Sequence, residues 1–185
     1  MHAPDTDFDP DDNFASGFDP DMEVDDEAGT EALVWQLLLL INPGDEETAL
    51  RQFGAWQDAT ADLDDRETEP AWVLKDIIDW TSGFQVHDDD AATFIEAMTE
   101  LVARWNLDID WGVDDPTDDD FLDAATIGGL LPVAYDALRS HGYTLWTWET
   151  GTDTVAGWIT LSRDDEAMRA IAPALGIEVR PAGRI

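Results

Sequence analysis

The sequence predicts an α+β domain: helices packed on one side of a small, mostly antiparallel sheet, with a hairpin near the carboxyl end. Three observations carry that expectation. The stretch YTLWTWETGTDTVAGWITLS holds two alternating runs, residues 143–149 and 154–162, around a turn containing Gly151 and Asp153, as a β-hairpin does. Between residues 90 and 105, Phe94, Ile95, Met98, Leu101, Val102 and Trp105 recur at three- and four-residue steps, a complete helical stripe. Helices are expected to stop at Asn106, Gly142 and Gly176 with a strand directly behind each, an order that helices layered on a small sheet satisfy.

The remaining elements follow along the chain. Residues 30–41 are apolar almost all round, as a buried helix is, and Asn42-Pro43-Gly44 ends them. Asp45 caps a second helix with Glu46 and Glu47 in its positive first turn, and Ala49, Leu50, Phe53 and Trp56 are expected inward. Pro70 opens a third, with Val73, Leu74, Ile77 and Ile78 inward. Leu107, Ile109 and Trp111 alternate as a short strand. A helix from about Thr117 is expected to be interrupted around Gly128-Gly129 and Pro132 and to end at Gly142. Behind the hairpin, Ser162 with Asp165 suggests a short capping box for a last helix, which Pro173 should kink or shorten, before a terminal strand at 177–181.

Bulk composition bounds the function. A chain of 185 residues with 44% apolar residues and nine Trp has enough material for one well-packed core. Its net charge is −34. Residues 1 to 27 hold eleven acids and no Lys or Arg, so the rest still carries −23. The expected organisation is an acidic, mobile tail over 1–27 and a single domain over 28–185, with Phe8-Asp9-Pro10-Asp11 repeated as Phe18-Asp19-Pro20-Asp21 inside the tail.

Such a field repels nucleic acid and anionic lipid and attracts basic proteins and cations. The longest apolar run, Ala32 to Ile41, is broken by Gln36 and too short to span a bilayer. With no cysteine, and no cationic, apolar leader at the start, a cytoplasmic location is expected.

The segments LLLLINPGDEE, DWTSGFQV, LDIDWG, LWTWETGTDTVAGWI and the closing LGIEVR together resemble an uncharacterised bacterial family of unknown function, over roughly residues 30 to 182. The resemblance implies one compact domain and lends no activity and no functional residue.

The signatures of enzymes are missing from the sequence: no Gly-x-Ser-x-Gly elbow, no phosphate-binding Gly-x-x-x-x-Gly-Lys and no His-Glu-x-x-His. No catalytic residue and no cofactor is therefore assigned. Lys75, the single lysine, is expected to snorkel along its helix. His87-Asp88-Asp89-Asp90 sets one imidazole beside three carboxylates, but it reads as a loop whose Asp90 or Asp89 caps the next helix. Residues 5–16 place Asp at positions one, three and five of a calcium loop, yet Pro10 stands where glycine must turn and Ser16 where Glu must close the shell. No metal site is assigned, and divalent cations should bind weakly and non-specifically.

Acidity remains as the unusual property. The reading chosen is a non-catalytic protein that recognises a basic protein partner, in the manner of an immunity protein or a DNA mimic. A monomer of this mass exposes roughly 9,000 Å², or about one net charge per 260 Å², against about one per 110 Å² on duplex DNA. Mimicry thus requires clustering. Residues 106–123 hold eight Asp and no base, and Asp108, Asp110, Asp114, Asp115, Asp118, Asp119 and Asp120 are the expected contact patch. Two alternatives stand beside it. One is a carboxylate-based hydrolase with a Trp-lined pocket, for which Trp146, Trp148 and Trp158 are the stacking candidates, although sheet packing explains them as well. The other is acidity as adaptation to strong salt.

Overall fold

Helix α1 (Asp26–Ile41) opens the part of the chain that the computed structural model describes, which comprises residues 26–61 and 70–183. The tail, its Phe-Asp-Pro-Asp repeat and the calcium-loop reading fall on residues outside the described ones, apart from the helix start at Asp26, four residues earlier than expected. Val34, Leu37, Leu38 and Ile41 are fully buried, and α1 stops at Asn42-Pro43-Gly44 as expected.

Asp45 caps α2 (Glu46–Ala61), its Oδ1 accepting the Thr48 N–H at 3.0 Å. The inward face of α2 differs from expectation at one place. Ala49 and Trp56 are buried and Phe53 is half-buried, but Leu50 is 61% exposed, and Gln52 is buried instead. The stripe through 49, 52, 53 and 56 is one helical face, and Leu50 lies a quarter-turn off it. Gln52 is tolerated there because a closed ring satisfies its amide: Asn42 Nδ2 donates to Gln52 Oε1 (2.8 Å), Gln52 Nε2 donates to Ser82 Oγ (2.8 Å), and Ser82 Oγ donates back to Asn42 Oδ1. The ring ties the end of α1 and the middle of α2 to the turn before the first strand. Helix α3 (Pro70–Ile77) buries Val73 and Leu74.

The four strands β1 (Gly83–His87), β2 (Tyr143–Glu149), β3 (Thr154–Leu161) and β4 (Val179–Pro181) form one antiparallel sheet in the order β1-β3-β2-β4. The expected hairpin is β2–β3, in which Leu145 lies opposite Ile159 and Trp146 opposite Trp158. Because successive side chains alternate, those two pairs serve opposite faces. Leu145 and Ile159 pack with α4 (Ala91–Ala103) and α6 (Ile127–Ser140), while Trp146 and Trp158 pack with α1, α2, α3 and α7 (Asp165–Ala174). The α+β class and antiparallel sheet hold, with helices covering both faces rather than one. Burying a large apolar side chain this completely contributes about 1.5–3 kcal/mol each.

Helix α4 carries the expected stripe, with Asp90 as its cap. Asn106 (φ 53°), Gly142 (φ 83°) and Gly176 (φ 77°) end helices in the left-handed conformation, as expected. No strand follows Asn106, however. Residues 107–111 run without ladder partners, and only the alternation survives: Ile109 is buried, Leu107 and Trp111 are half-buried, and Asp108 and Asp110 point out. The helix expected from Thr117 is two helices, α5 (Asp119–Ala124) and α6, broken at Ala125-Thr126, so the break precedes the glycines. Thr126 caps α6 by accepting the Gly129 N–H. The capping box at Ser162 does not form: Ser162 begins a 3-10 turn, and Asp165 turns inward to other partners. Strand β1 is absent from the sequence-based expectation because five residues between two turns give too short a pattern.

Candidate functional site

Two places concentrate groups that could contact another molecule. The first is the acidic segment that runs from the loop after α4 into the first turn of α5. Leu107, Ile109 and Trp111 anchor it on the α4–α6 core, with the Trp111 ring edge-on to Phe94 at 6.1 Å. All seven expected contact residues, Asp108, Asp110, Asp114, Asp115, Asp118, Asp119 and Asp120, are exposed. Three are held by local hydrogen bonds: Asp110 Oδ1 accepts the Gly112 N–H (2.8 Å), Asp115 Oδ1 accepts Thr117 N–H (2.9 Å) and O–H (2.6 Å), and Asp118 Oδ1 accepts the Asp120 N–H (3.0 Å). The bonds from Thr117 hold the Asp115 carboxyl below its ordinary pKa. Among the described residues, no Lys, Arg or His forms an ion pair with any of the seven.

The second is a cleft of about 360 Å³ between α3, the turn at 79–82 and the α3-side face of the sheet. Trp148 and Trp158 form its floor, Trp80 stands at its rim, and Gly83 and Gln85 of the edge strand form one wall. A second groove of about 420 Å³ continues it past Trp72 and Asp76, sharing Lys75 and Gln85. Gly83 is needed here: a Cβ would lie 2.9 Å from both the Gly157 carbonyl oxygen and Ile78 Cγ2, so only glycine lets the turn close on the sheet. The buried ring through Ser82 fixes the same turn.

Lys75 does more than snorkel. Its Nζ sits 4.0 Å from the Trp72 ring centre and 4.5 Å from that of Trp148, between two indole faces. No carboxylate among the described residues pairs with it, in a chain that has 43 acids. Asp79, the carboxylate in the first cleft's lining, is engaged elsewhere: Oδ2 takes Arg51 Nη1 and Nη2 at 3.2 Å, and Oδ1 caps the turn through Thr81 N–H. Trp72 and Trp80 are 57% and 52% exposed.

Of the three Trp expected to be stacking candidates, Trp146 is a core residue, Trp158 is buried with its ring against the cleft, and Trp148 is half-buried and faces it. Trp146 Nε1 donates to Thr160 Oγ1 (2.9 Å), whereas the buried Trp158 Nε1–H finds no acceptor among the described residues. Sequence reasoning missed Trp72 and Trp80. The available signal was Trp72 with Lys75 at i,i+3 on one helix, a spacing that places the two side chains together.

Elsewhere, His87 Nδ1 lies 2.7 Å from Asp89 Oδ1 and 3.5 Å from Asp88 Oδ1. The Asp89 hydrogen bond, then the charges of Asp89, Asp88 and Asp153, raise the imidazole pKa. The three ligand atoms lie within 4.8 Å of one another and are all exposed, and Asp90 is committed to its cap, accepting Thr93 N–H and O–H. A polar cluster at the other end of the sheet is self-satisfied: Asp165 accepts Thr144 O–H (2.6 Å) and Arg139 Nη1 (2.8 Å), and the Arg139 guanidinium pKa is raised by that bond. Arg104 is a half-buried cation. Its Nε donates to Leu101 O and it stacks on Trp105 at 4.4 Å, while burial lowers its pKa to about 10, still charged at neutral pH.

No helix among the described residues is long and apolar enough to cross a membrane. No curated protein and no solved structure matches the chain. A family model does match over residues 33–182, and its description is a domain of unknown function, DUF6630; the chain belongs to that family, close to the bounds expected from the sequence.

Proposed function

We propose that this DUF6630 domain is a non-catalytic binding module that recognises a basic protein partner, with the loop bearing Asp108, Asp110, Asp114, Asp115, Asp118, Asp119 and Asp120 as its steering surface. One observation carries the reading: seven exposed carboxylates stand on an anchored loop and the first turn of α5, with no cation paired to them among the described residues. A field of that sign accelerates encounter with a cationic protein and disfavours nucleic acid. The three carboxylates held by turns keep their places before the partner arrives, which lowers the ordering cost of contact. Steering governs association rate, while uncharged groups set which partner stays.

A Trp-lined pocket, which the hydrolase alternative needs, is present. Its lining supplies Asp79, already tied to Arg51, the adjoining groove adds Asp76, and among the described residues the carboxyls with shifted pKa values (Asp45, Asp90 and Asp115) all move down, away from a general acid. The binding reading is therefore preferred.

The test compares two charge-matched variants. One replaces Asp114, Asp115, Asp118, Asp119 and Asp120 with Asn. The other replaces Asp58 with Asn and Glu96, Glu100, Glu166 and Glu178 with Gln, all exposed positions elsewhere. Association of a short lysine-rich peptide is followed by stopped flow at low salt and at about 0.15 M. The loop variant should slow association more than the control variant does, and the difference should shrink with salt. Equal slowing by both would show that only net charge matters and would defeat the loop assignment.

A further inference from the structure

The acidic surface explains attraction, and the cleft provides a pocket already occupied by a cation. Resting on the reading of a basic partner, we propose that the Trp72–Trp148 cage receives a lysine side chain of that partner, and that Lys75 is the resident stand-in it displaces. The geometry suits an ammonium: Nζ lies 4.0 Å and 4.5 Å from the two ring centres, inside the range at which an indole face attracts a cation. The same negative ring faces would repel an anion. Lys75 is held there by the rings without a carboxylate partner among the described residues, and its flexible four-carbon stem lets it leave without backbone change. The way in is open, because Trp72 and Trp80 are both more than half exposed at the cleft mouth. A volume of about 360 Å³ falls within the range of pockets that enclose small ligands. The body charge of −23 adds the complementary field. Trp, exposed here at the edge of a pocket, is also a residue type enriched in interface hot spots.

The full chain is titrated calorimetrically with acetyl-trimethyllysine amide, whose quaternary ammonium is the preferred guest of aromatic cages. Acetyl-norleucine amide serves as the uncharged control and acetyl-glutamate amide as the anion. Lys75→Met should bind the trimethyllysine probe at least about fivefold tighter than the unaltered chain, because a partly exposed cation–π contact no longer has to be broken. Lys75→Gln, checked with it for an unchanged circular dichroism spectrum, should do the same, and Trp72→Leu in the Lys75→Met background should abolish the gain. Three results would overturn the proposal: no gain in either Lys75 variant, norleucine amide binding as tightly as the cation, or the glutamate probe binding the unaltered chain and being lost with Lys75. The cage and the steering loop fail separately. A loop variant that slows the lysine-rich peptide while Lys75→Met gains nothing leaves the basic partner standing without its anchor. The reverse outcome keeps the cage and discards the loop.

Discussion

Replacing Gln52 with Ala tests whether the buried polar ring holds the α1–α2 pair against the turn that shapes the cleft. Gln52 accepts from Asn42 Nδ2 and donates to Ser82 Oγ, both at 2.8 Å and both out of water. Its removal orphans one amide hydrogen of Asn42, since the other still reaches Leu38 O, and strips Ser82 Oγ of its donor. A buried donor left bare costs about 1–3 kcal/mol, and the one lost methylene adds roughly 0.8 kcal/mol of burial. The expected loss is about 2–4 kcal/mol, which for a chain of this size lowers the thermal midpoint by roughly 5–15 °C. Urea unfolding followed by Trp fluorescence measures it. Ser82→Ala severs the same ring, so the double variant should lose clearly less than the sum of the singles. A Gln52→Ala loss below about 1 kcal/mol, or strictly additive singles, would show that the ring is not a coupled unit.

Other expectations follow from single side chains. Leu50→Gln should change stability by no more than about 0.5 kcal/mol, because Leu50 is exposed. Asp90→Ala should cost about 1 kcal/mol in urea unfolding through loss of the α4 cap. The Thr93 hydrogen bonds lower the Asp90 pKa, so its contribution is full above the unfolded carboxyl pKa and is lost as pH falls through the folded value. His87 has the opposite sign: its raised pKa gives a contribution complete below the unfolded imidazole value and lost as pH rises through the folded one. Proton NMR should place the His87 midpoint above the usual 6.5, and Asp89→Asn should bring it down. Gly83→Ala should destabilise the chain by about 1–3 kcal/mol, since Ile78 and the Gly157 carbonyl leave no room for a methyl.

Much of this fold is legible wherever the pattern is long. The hairpin and α4 match expectation because seven- and thirteen-residue elements repeat their period often enough to be read. Strand β1 is too short for that, and residues 107–111 show why alternation alone misleads: one chain can bury every second side chain without pairing its backbone. Gln52 and Leu50 exchange roles because tertiary hydrogen bonding decides burial there, and no local pattern encodes the partners at Asn42 and Ser82. Asp165 abandons its cap position for Thr144 and Arg139 for the same reason. The acidic loop was visible as composition. The cleft was not, because Lys75, Trp80, Gly83, Trp148 and Trp158 converge only once α3 has docked on the sheet.

A two-dimensional NMR titration of the isotope-labelled full chain with the lysine-rich peptide tests the basic-partner reading most directly. Shifts concentrated in the amides of residues 108–120 and in the indole N–H groups of Trp72 and Trp80 are the expected result. Shifts spread evenly over the acidic helices, with the loop and the cleft no different from the rest, would contradict it.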